Sequence, residues 1–258
     1  MWDWFGIKKR RRRRARGKAF PGEWVGILEK NFALWEKLSV ADREELKGHV
    51  LVFLEEKRFE GCGGMEITDE VRVTVAAQAC LLLLHRVTDY YPKLTSILIY
   101  PEAYVAKGGK FGREEDSVRL GESWTTGSVV LAWRSVEEGG QNGEDGRNVV
   151  FHEFAHQLDS LSGRMNGAPV LGKGLKVTER RSRYVSWARV MEEEFEALQV
   201  AEKFGKRTVI DKYGSGEPAE FFAVVTEAFF ERSEKLLEDH PELYEELKTF
   251  YKQDPVVW

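Results

Sequence analysis

Eight consecutive residues, His152-Glu153-Phe154-Ala155-His156-Gln157-Leu158-Asp159, constrain this 258-residue chain more than any other stretch. They follow the apolar run Val149-Val150-Phe151 and read H-E-x-x-H on a helix. Residues i and i+4 share a helical face, so His152 and His156 can aim imidazole nitrogens at one metal ion. Glu153 projects beside them, where a carboxylate can take a proton from water as general base. Phe151 and Leu158, seven apart, mark a packing side and predict a buried, rigid helix.

The rest of the chain has to supply a core and a further ligand. A hydrophobic content of 42% suffices for a substantial core. Cys62 and Cys80 lack metal-ligand or redox spacing and read as reduced, buried residues, which points to the cytoplasm. The longest apolar run, Ala76 to Leu84, contains Gln78 and is too short to span a membrane.

Charge is unevenly placed. Nine basic residues (Lys8, Lys9, Arg10 to Arg14, Arg16 and Lys18) against Asp3 give residues 1–18 a net charge of +8. With a formal total of -4, the remainder carries -12. Gly17 to Trp24 supplies no apolar region of the kind a secretory signal needs. The basic run reads as a solvated, disordered arm. Trp2, Trp4, Phe5 and Ile7 beside the cations favour contact with an anionic membrane surface, hence peripheral association. The acidic remainder argues against a continuous nucleic-acid surface.

Along the chain, Ser39-x-x-Asp42 caps a helix with Leu46, Val50, Phe53 and Leu54 on its apolar face, and Gly61, Gly63 and Gly64 end that segment. Thr68 opens a helix from Asp69 to about Arg86, with a buried end at Leu81 to Leu84. Thr95 to Tyr100 is a strand stopped by Pro101, and Lys107 to Gly112 a loop. Ser117 to Trp124 and Ser128 to Trp133 read as strands joined at Thr125 to Gly127, and Gly139 to Gly146 as a loop before the motif helix. A metal peptidase holds its substrate extended against a sheet edge, and Ser128 to Trp133 is the candidate edge. Further helices are expected from Glu179 to Lys203, from Glu217 to about Glu231 with Pro218 in its first turn, and from His240 onward.

The third ligand decides the type of site. A metzincin pattern would need Gly at 159 and His at 162, where the chain has Asp159 and Ser162. Glu179 lies at a thermolysin-like distance from His156, but within Glu179-Arg180-Arg181 it reads as a solvated helix end. Glu220 is the stronger candidate, a carboxylate on an otherwise apolar helix. Glu227, on the same face at i+7, reads as an alternative ligand, a partner behind the ligands, or a salt-bridged core carboxylate. Asp159 reads as orienting a ligand histidine or as a surface carboxylate.

The run Tyr213-Gly214-Ser215-Gly216-Glu217-Pro218-Ala219-Glu220-Phe221-Phe222-Ala223-Val224, taken with HEFAHQLD, resembles the Mlc titration factor A (MtfA) peptidase family. The likeness extends to Ile99-Tyr100-Pro101, Gly121-Glu122-Ser123-Trp124, Val130-Leu131-Ala132-Trp133 and Phe250 to Pro255, about residues 20 to 256 in all. The C-terminal half is also similar to the protease domain of anthrax lethal factor, where a Tyr and the ligating Glu stand seven apart, as Tyr213 and Glu220 do. The resemblance implies an α+β, mostly helical zincin-like (gluzincin) fold with a small mixed β-sheet near the motif helix. It implies one Zn2+ per chain held by His152, His156 and Glu220, with Glu153 as base and Tyr213 beside the metal. Tyr213 then reads as an oxyanion donor, with a resting zinc ligand or a helix-capping aromatic as alternatives. The Arg-rich arm over 1–19 departs from the family pattern, and 20–258 is expected to form one metallopeptidase domain, helical to about 92 and catalytic from about 93. The implied activity is aminopeptidase-like hydrolysis of small peptides. The alternative is a regulatory protein that binds a transcriptional repressor, as the family does in enteric bacteria, around a structural or weakly active zinc.

Overall fold

The computed structural model describes residues 4–102, 104–105, 118–119, 121–124, 127–172 and 174–258. In chain order the elements are α1 (Trp4–Arg16), α2 (Gly22–Asn31), α3 (Val40–Glu56), β1 (Arg58–Gly61), α4 (Asp69–Leu81), β2 (Ser96–Tyr100), β3 (Tyr104–Val105), β4 (Val118–Arg119), β5 (Gly121–Trp124) and β6 (Ser128–Ala132). There follow α5 (Trp133–Gln141), α6 (Val149–Asp159), α7 (Val177–Lys203), α8 (Pro218–Glu231), α9 (Ser233–Asp239) and α10 (Pro241–Tyr251). The α+β expectation holds: helices dominate, around one small mixed sheet.

That sheet has the order β1-β2-β6-β5, with β1, β2 and β6 parallel and β5 antiparallel to β6. Ile97 pairs with Val129 and Ile99 with Leu131, and all four are fully buried. A parallel strand covered on both faces reads as an unbroken apolar run, and Val129 to Ala132 is one. Two sequence expectations are corrected by this pairing. Ser128 to Trp133 is not an edge, because β6 is hydrogen-bonded on both sides; the edge flanking it is β5. β1 was not anticipated, because Arg58-Phe59-Glu60-Gly61 offers one apolar side chain and no alternation. The single strand expected over 117–124 serves two sheets, β4 pairing with β3 and β5 with β6. The loop expected at 107–112 and the turn residues 125–126 lie outside the described residues.

Helix ends follow local chemistry. Ser39 Oγ accepts the Asp42 N–H at 3.1 Å, and Thr68 Oγ1 that of Val71 at 3.3 Å, so both anticipated caps form. α4 stops at Leu81 rather than Arg86, although Leu82 to Leu84 are buried as expected. Trp133, Gly139 and Gly140 correct the reading further, since Trp133–Gln141 is a helix and not a strand end followed by a loop. Two helical glycines mislead a propensity argument, but Gly140 is there for packing. A Cβ at Gly140 would collide with Asn31 O and lie 2.7 Å from Gln78 Nε2, so glycine lets α5 approach α2 and α4.

Residues 4–16 correct the expectation of a disordered arm. They form α1, packed on α3. Among its described side chains few are apolar, and ion pairs dock it. Arg12 Nε donates to Glu56 at 2.7 Å and its Nη1 to Asp89 at 2.6 Å, while Arg16 Nη2 donates to the Tyr90 hydroxyl at 2.6 Å. Ala15 is the buried contact that brings the backbones together.

α6 runs through the centre of the core, with Val150, Phe151, Phe154 and Ala155 fully buried. Phe154 stacks edge-on against Tyr91, centroids 4.8 Å apart, and Phe151 packs on Phe230 at 5.3 Å. The expected packing side therefore joins the N-terminal helices to the C-terminal ones through the motif helix. Gly140→Ala is expected to cost about 1–3 kcal/mol by overpacking, which at about 2–4 °C per kcal/mol is a clear loss of Tm by calorimetry. An unchanged Tm would mean that α5 does not press on α2 and α4 as described.

Candidate metal centre

Asn148 starts α6: its Oδ1 accepts the N–H groups of Val150 at 3.1 Å and Phe151 at 3.0 Å. That cap sets His152 one turn into the helix, and the four-residue step puts the His156 ring 4.9 Å away by centroids. α8 lies alongside α6 and carries the third donor. Glu220 Oε2 is 3.0 Å from His152 Nε2 and 3.4 Å from His156 Nε2, and the two Nε2 atoms are 3.2 Å apart. One donor atom from each of the three residues falls within 4.8 Å of the others.

Glu227, about two helical turns further along α8 than Glu220 and so on its face, lies outside the group of converging donors. Its Oε1 takes the His152 Nδ1–H at 2.8 Å, and its Oε2 accepts the Asn148 N–H at 2.6 Å. It stands behind His152, on the side away from Glu220. With Nδ1 donating to Glu227, it is Nε2 of His152 that faces Glu220 and His156, and a cation that displaced the proton there would meet its lone pair.

Burial opposes charge on His152, but hydrogen bonds to Glu220 and Glu227 overrule it and lift its pKa to about 10. Burial would raise the Glu220 carboxyl, yet His152 and His156 hold it well below the usual carboxylate range. Glu227, deeply buried, is pushed up despite its bonds to His152 and Asn148. Two imidazole nitrogens and a carboxylate oxygen facing one point require positive charge there. A divalent cation meets that requirement without leaving two lone pairs opposed, so this donor set fits a metal.

The remaining expected residues fall as follows. Glu153 is 4% exposed, next to His152 in the first half of α6. Tyr213 sits in a 3-10 turn, Lys212–Ser215, whose start is capped by Asp211 Oδ1 accepting the Tyr213 N–H at 2.9 Å. A Cβ at Gly214 would collide with Val224 Cγ2, so glycine lets this turn lie against α8. The Tyr213 ring is thereby 5.9 Å from that of His152, while the residue stays 65% exposed. Asp159 is fully buried, which corrects the surface alternative. Among the described residues it makes no hydrogen bond to His156; its Oδ2 accepts the Gly167 N–H at 2.8 Å. Gly167 O accepts from Trp187 Nε1 at 2.9 Å, and a Cβ at Gly167 would lie 2.5 Å from Pro218 O. Asp159 thus stitches the end of α6 to α7 and to the start of α8, where Glu220 is mounted. Glu179 caps its own helix by accepting the Lys176 N–H at 3.0 Å, as a solvated helix end does.

Sequence reasoning missed Asn148, although an Asn directly before the apolar run was the available signal. It also missed a second cluster, Asp42, Glu45 and His85. There His85 spends both ring nitrogens on carboxylates, Nε2 at 2.9 Å from Asp42 and Nδ1 at 3.3 Å from Glu45, which is an ion-pair geometry.

The sequence pattern of the glucose-regulated metallo-peptidase M90 family is matched over residues 7–252. The chain belongs to that family. The M90 match begins inside α1, in keeping with a docked helix. An uncharacterized protein of Synechocystis sp. is 40% identical over 246 residues, covering 93% of this chain and 87% of its own. Mlc titration factor A of Klebsiella pneumoniae is 28% identical over 85% of this chain and 82% of its own, and that of Escherichia coli 29% identical over 79% and 76%. The resemblance drawn from the two motif regions is therefore upheld across nearly the whole M90 chain.

The two glutamates should separate in a zinc titration against a competing chelator. Glu220→Ala, which removes a donor, is expected to abolish tight binding. Glu227→Gln, which leaves the donors but loosens His152, is expected to weaken it about 10–100-fold. The reverse order would exchange the roles of Glu220 and Glu227.

Proposed function

We propose that the chain is a zinc-dependent peptidase, with His152, His156 and Glu220 as the ligands of one Zn2+ and Glu153 as general base. The observation that carries this reading is the convergence of those three donors with Glu227 fixing which nitrogen of His152 faces Glu220. When bound, zinc would supply Lewis acidity, bringing the pKa of water towards about 7 and polarising the scissile carbonyl. Glu153 takes the proton of the attacking water on its carboxylate and passes it to the leaving amine, so the peptide N departs neutral. Its burial beside His152 keeps that carboxylate out of bulk water and in a fixed place. The Tyr213 hydroxyl donates to the oxyanion that forms on the carbonyl oxygen.

The substrate would lie extended along β5. β5 pairs with β6 on one side, and pairing of a peptide backbone on its other side holds a substrate whatever its side chains. Small peptides cleaved from the amino end are the proposed substrates, and residues 20–258 the proposed catalytic unit. Free Cys62 and Cys80 are in keeping with the cytoplasm as its place of action, and no helix among the described residues is long and apolar enough to cross a membrane.

A second reading rests on the names of the relatives. Mlc titration factor A is a name that speaks of binding to Mlc, and on this reading the chain acts by binding a transcriptional regulator around a structural or weakly active zinc. A buried Glu153 beside the ligands favours the peptidase, because a structural zinc needs no base.

Glu153→Gln is expected to keep about one zinc per chain and the same melting curve while losing about 10²–10⁴ of hydrolysis across a peptide library. Full activity in that variant would remove Glu153 from the reaction, and a wild-type protein that takes up no zinc would remove the metal. Tyr213→Phe separates three roles in one kinetic series with zinc measured on the same sample. An oxyanion donor gives a kcat lower by about a hundredfold with KM and zinc unchanged. A resting ligand gives faster turnover or weaker zinc binding, and a capping aromatic gives no change. The donor outcome is the one expected.

A further inference from the structure

The way α1 is attached divides its cations into two sets with different jobs. Lys8, Arg12 and Arg16 face the body: Lys8 pairs with Asp89 at 3.0 Å, Arg12 with Glu56 and Asp89, and Arg16 with Tyr90. At about 100° per residue, Arg10 and Arg14 fall on the side of the helix away from the body, Arg13 on its flank, and Lys9 nearly in line with Arg16 at the edge of the docked face. All four are exposed, and none makes an ion pair among the described residues. Arg11, at the boundary, is half committed, 3.5 Å from Glu56 with its side chain 55% exposed. Lys18, just beyond the helix, pairs with Glu55 at 2.7 Å.

A helix of this composition has little reason to form alone. Like charges face one another at many of its i, i+3 and i, i+4 steps, and Ala15 is the one buried apolar residue among its described side chains. The fold commits three cations and the buried carboxylate of Glu56 to holding it. Burial pushes the Glu56 carboxyl up, but Arg12 brings it below the ordinary range, so the anchor is charged at neutral pH. The product is a helix held in place with four exposed cations spread over its outer side and one flank, on a body whose own net charge is negative. A solvated arm would need no such anchoring.

We infer that the exposed side of α1, which carries Lys9, Arg10, Arg13 and Arg14, is a docking surface for an anionic lipid bilayer. Charge complementarity selects an anionic partner. The flanking sequence selects a bilayer among anionic partners: Trp2, Trp4, Phe5 and Ile7 precede the array without an interleaved cation, and Ile7 is 57% exposed. Large apolar and aromatic side chains next to a cluster of Lys and Arg are what an interfacial region takes up, whereas duplex nucleic acid offers them no apolar layer. Because the array is fixed to the body, adsorption also fixes which side of the protein faces the bilayer. The inference stands independently of the peptidase reading, since α1 carries no ligand donor.

The test is vesicle co-sedimentation of the full chain, with phosphatidylcholine vesicles and with phosphatidylcholine containing phosphatidylglycerol. Binding is expected with the anionic vesicles only, and it should largely vanish between about 0.1 M and about 1 M salt, as the screening length falls from about 10 Å to about 3 Å. Changing Lys9, Arg10, Arg13 and Arg14 together to Gln should lower partitioning at least tenfold, with the melting curve retained because the anchoring cations remain. Trp2→Ala with Trp4→Ala should lower it further while leaving the salt dependence. Equal binding to pure phosphatidylcholine would overturn the inference, as would parental binding by the four-Gln protein. Duplex DNA binding as tightly as the anionic vesicles at the same salt would overturn it too, in favour of nucleic acid.

Discussion

The Glu227 carboxylate is the contact on which the rest of the centre depends. It closes the gap between α6 and α8 with two hydrogen bonds, one to the imidazole of His152 and one to the backbone of the residue that caps the motif helix. A single buried side chain thereby fixes where α6 starts, which nitrogen of His152 faces Glu220 and how far α8 stands away. Glu231, next along α8, repeats the arrangement by accepting the Arg147 N–H at 3.0 Å. Two carboxylates in succession hold the backbone just ahead of the motif helix, while Asp159 holds the loop just beyond it. Buried carboxylates of this kind are expensive unless paired, and here each pairing sets a coordinate of the donor triad.

The sheet and the helices divide the remaining work. β6, covered on both faces, contributes core, while β5 presents the edge beside α6. The 3-10 turn that carries Tyr213 lies flat on α8 because Gly214 has no side chain, so one helix places both Glu220 and the tyrosine. On the proposed reading, the exposed tyrosine next to a half-buried imidazole meets a substrate from solvent without the core having to move.

What could be read from the sequence was chemistry with a fixed period. His152 and His156, the caps Ser39 and Thr68, Pro218 at a helix start and the i+7 relation of Glu220 to Glu227 are all local signals, and each is seen in the fold. Long-range packing was not legible. Gly139 and Gly140 resemble a loop until Asn31 and Gln78 are placed against them. β1 is a strand only because β2 lies beside it, and nothing within Ser128 to Trp133 says that it is paired on both sides. α1 shows this most clearly, since its helix depends on Glu56 and Asp89, carboxylates more than forty residues away in the chain. Glu227 lay between these cases: its face was readable, its partner was not.

That His152, His156 and Glu220 hold one zinc ion by their inward atoms is tested most directly by X-ray absorption at the zinc edge of the loaded protein. The expected spectrum shows light-atom ligands only, with two imidazoles at about 2.0–2.1 Å and a carboxylate oxygen at about 2.0–2.2 Å. The imidazole scattering should be lost when His152 and His156 are both changed to Ala. Zinc–sulfur scattering near about 2.3 Å, or a spectrum that survives that double change, would contradict the assignment.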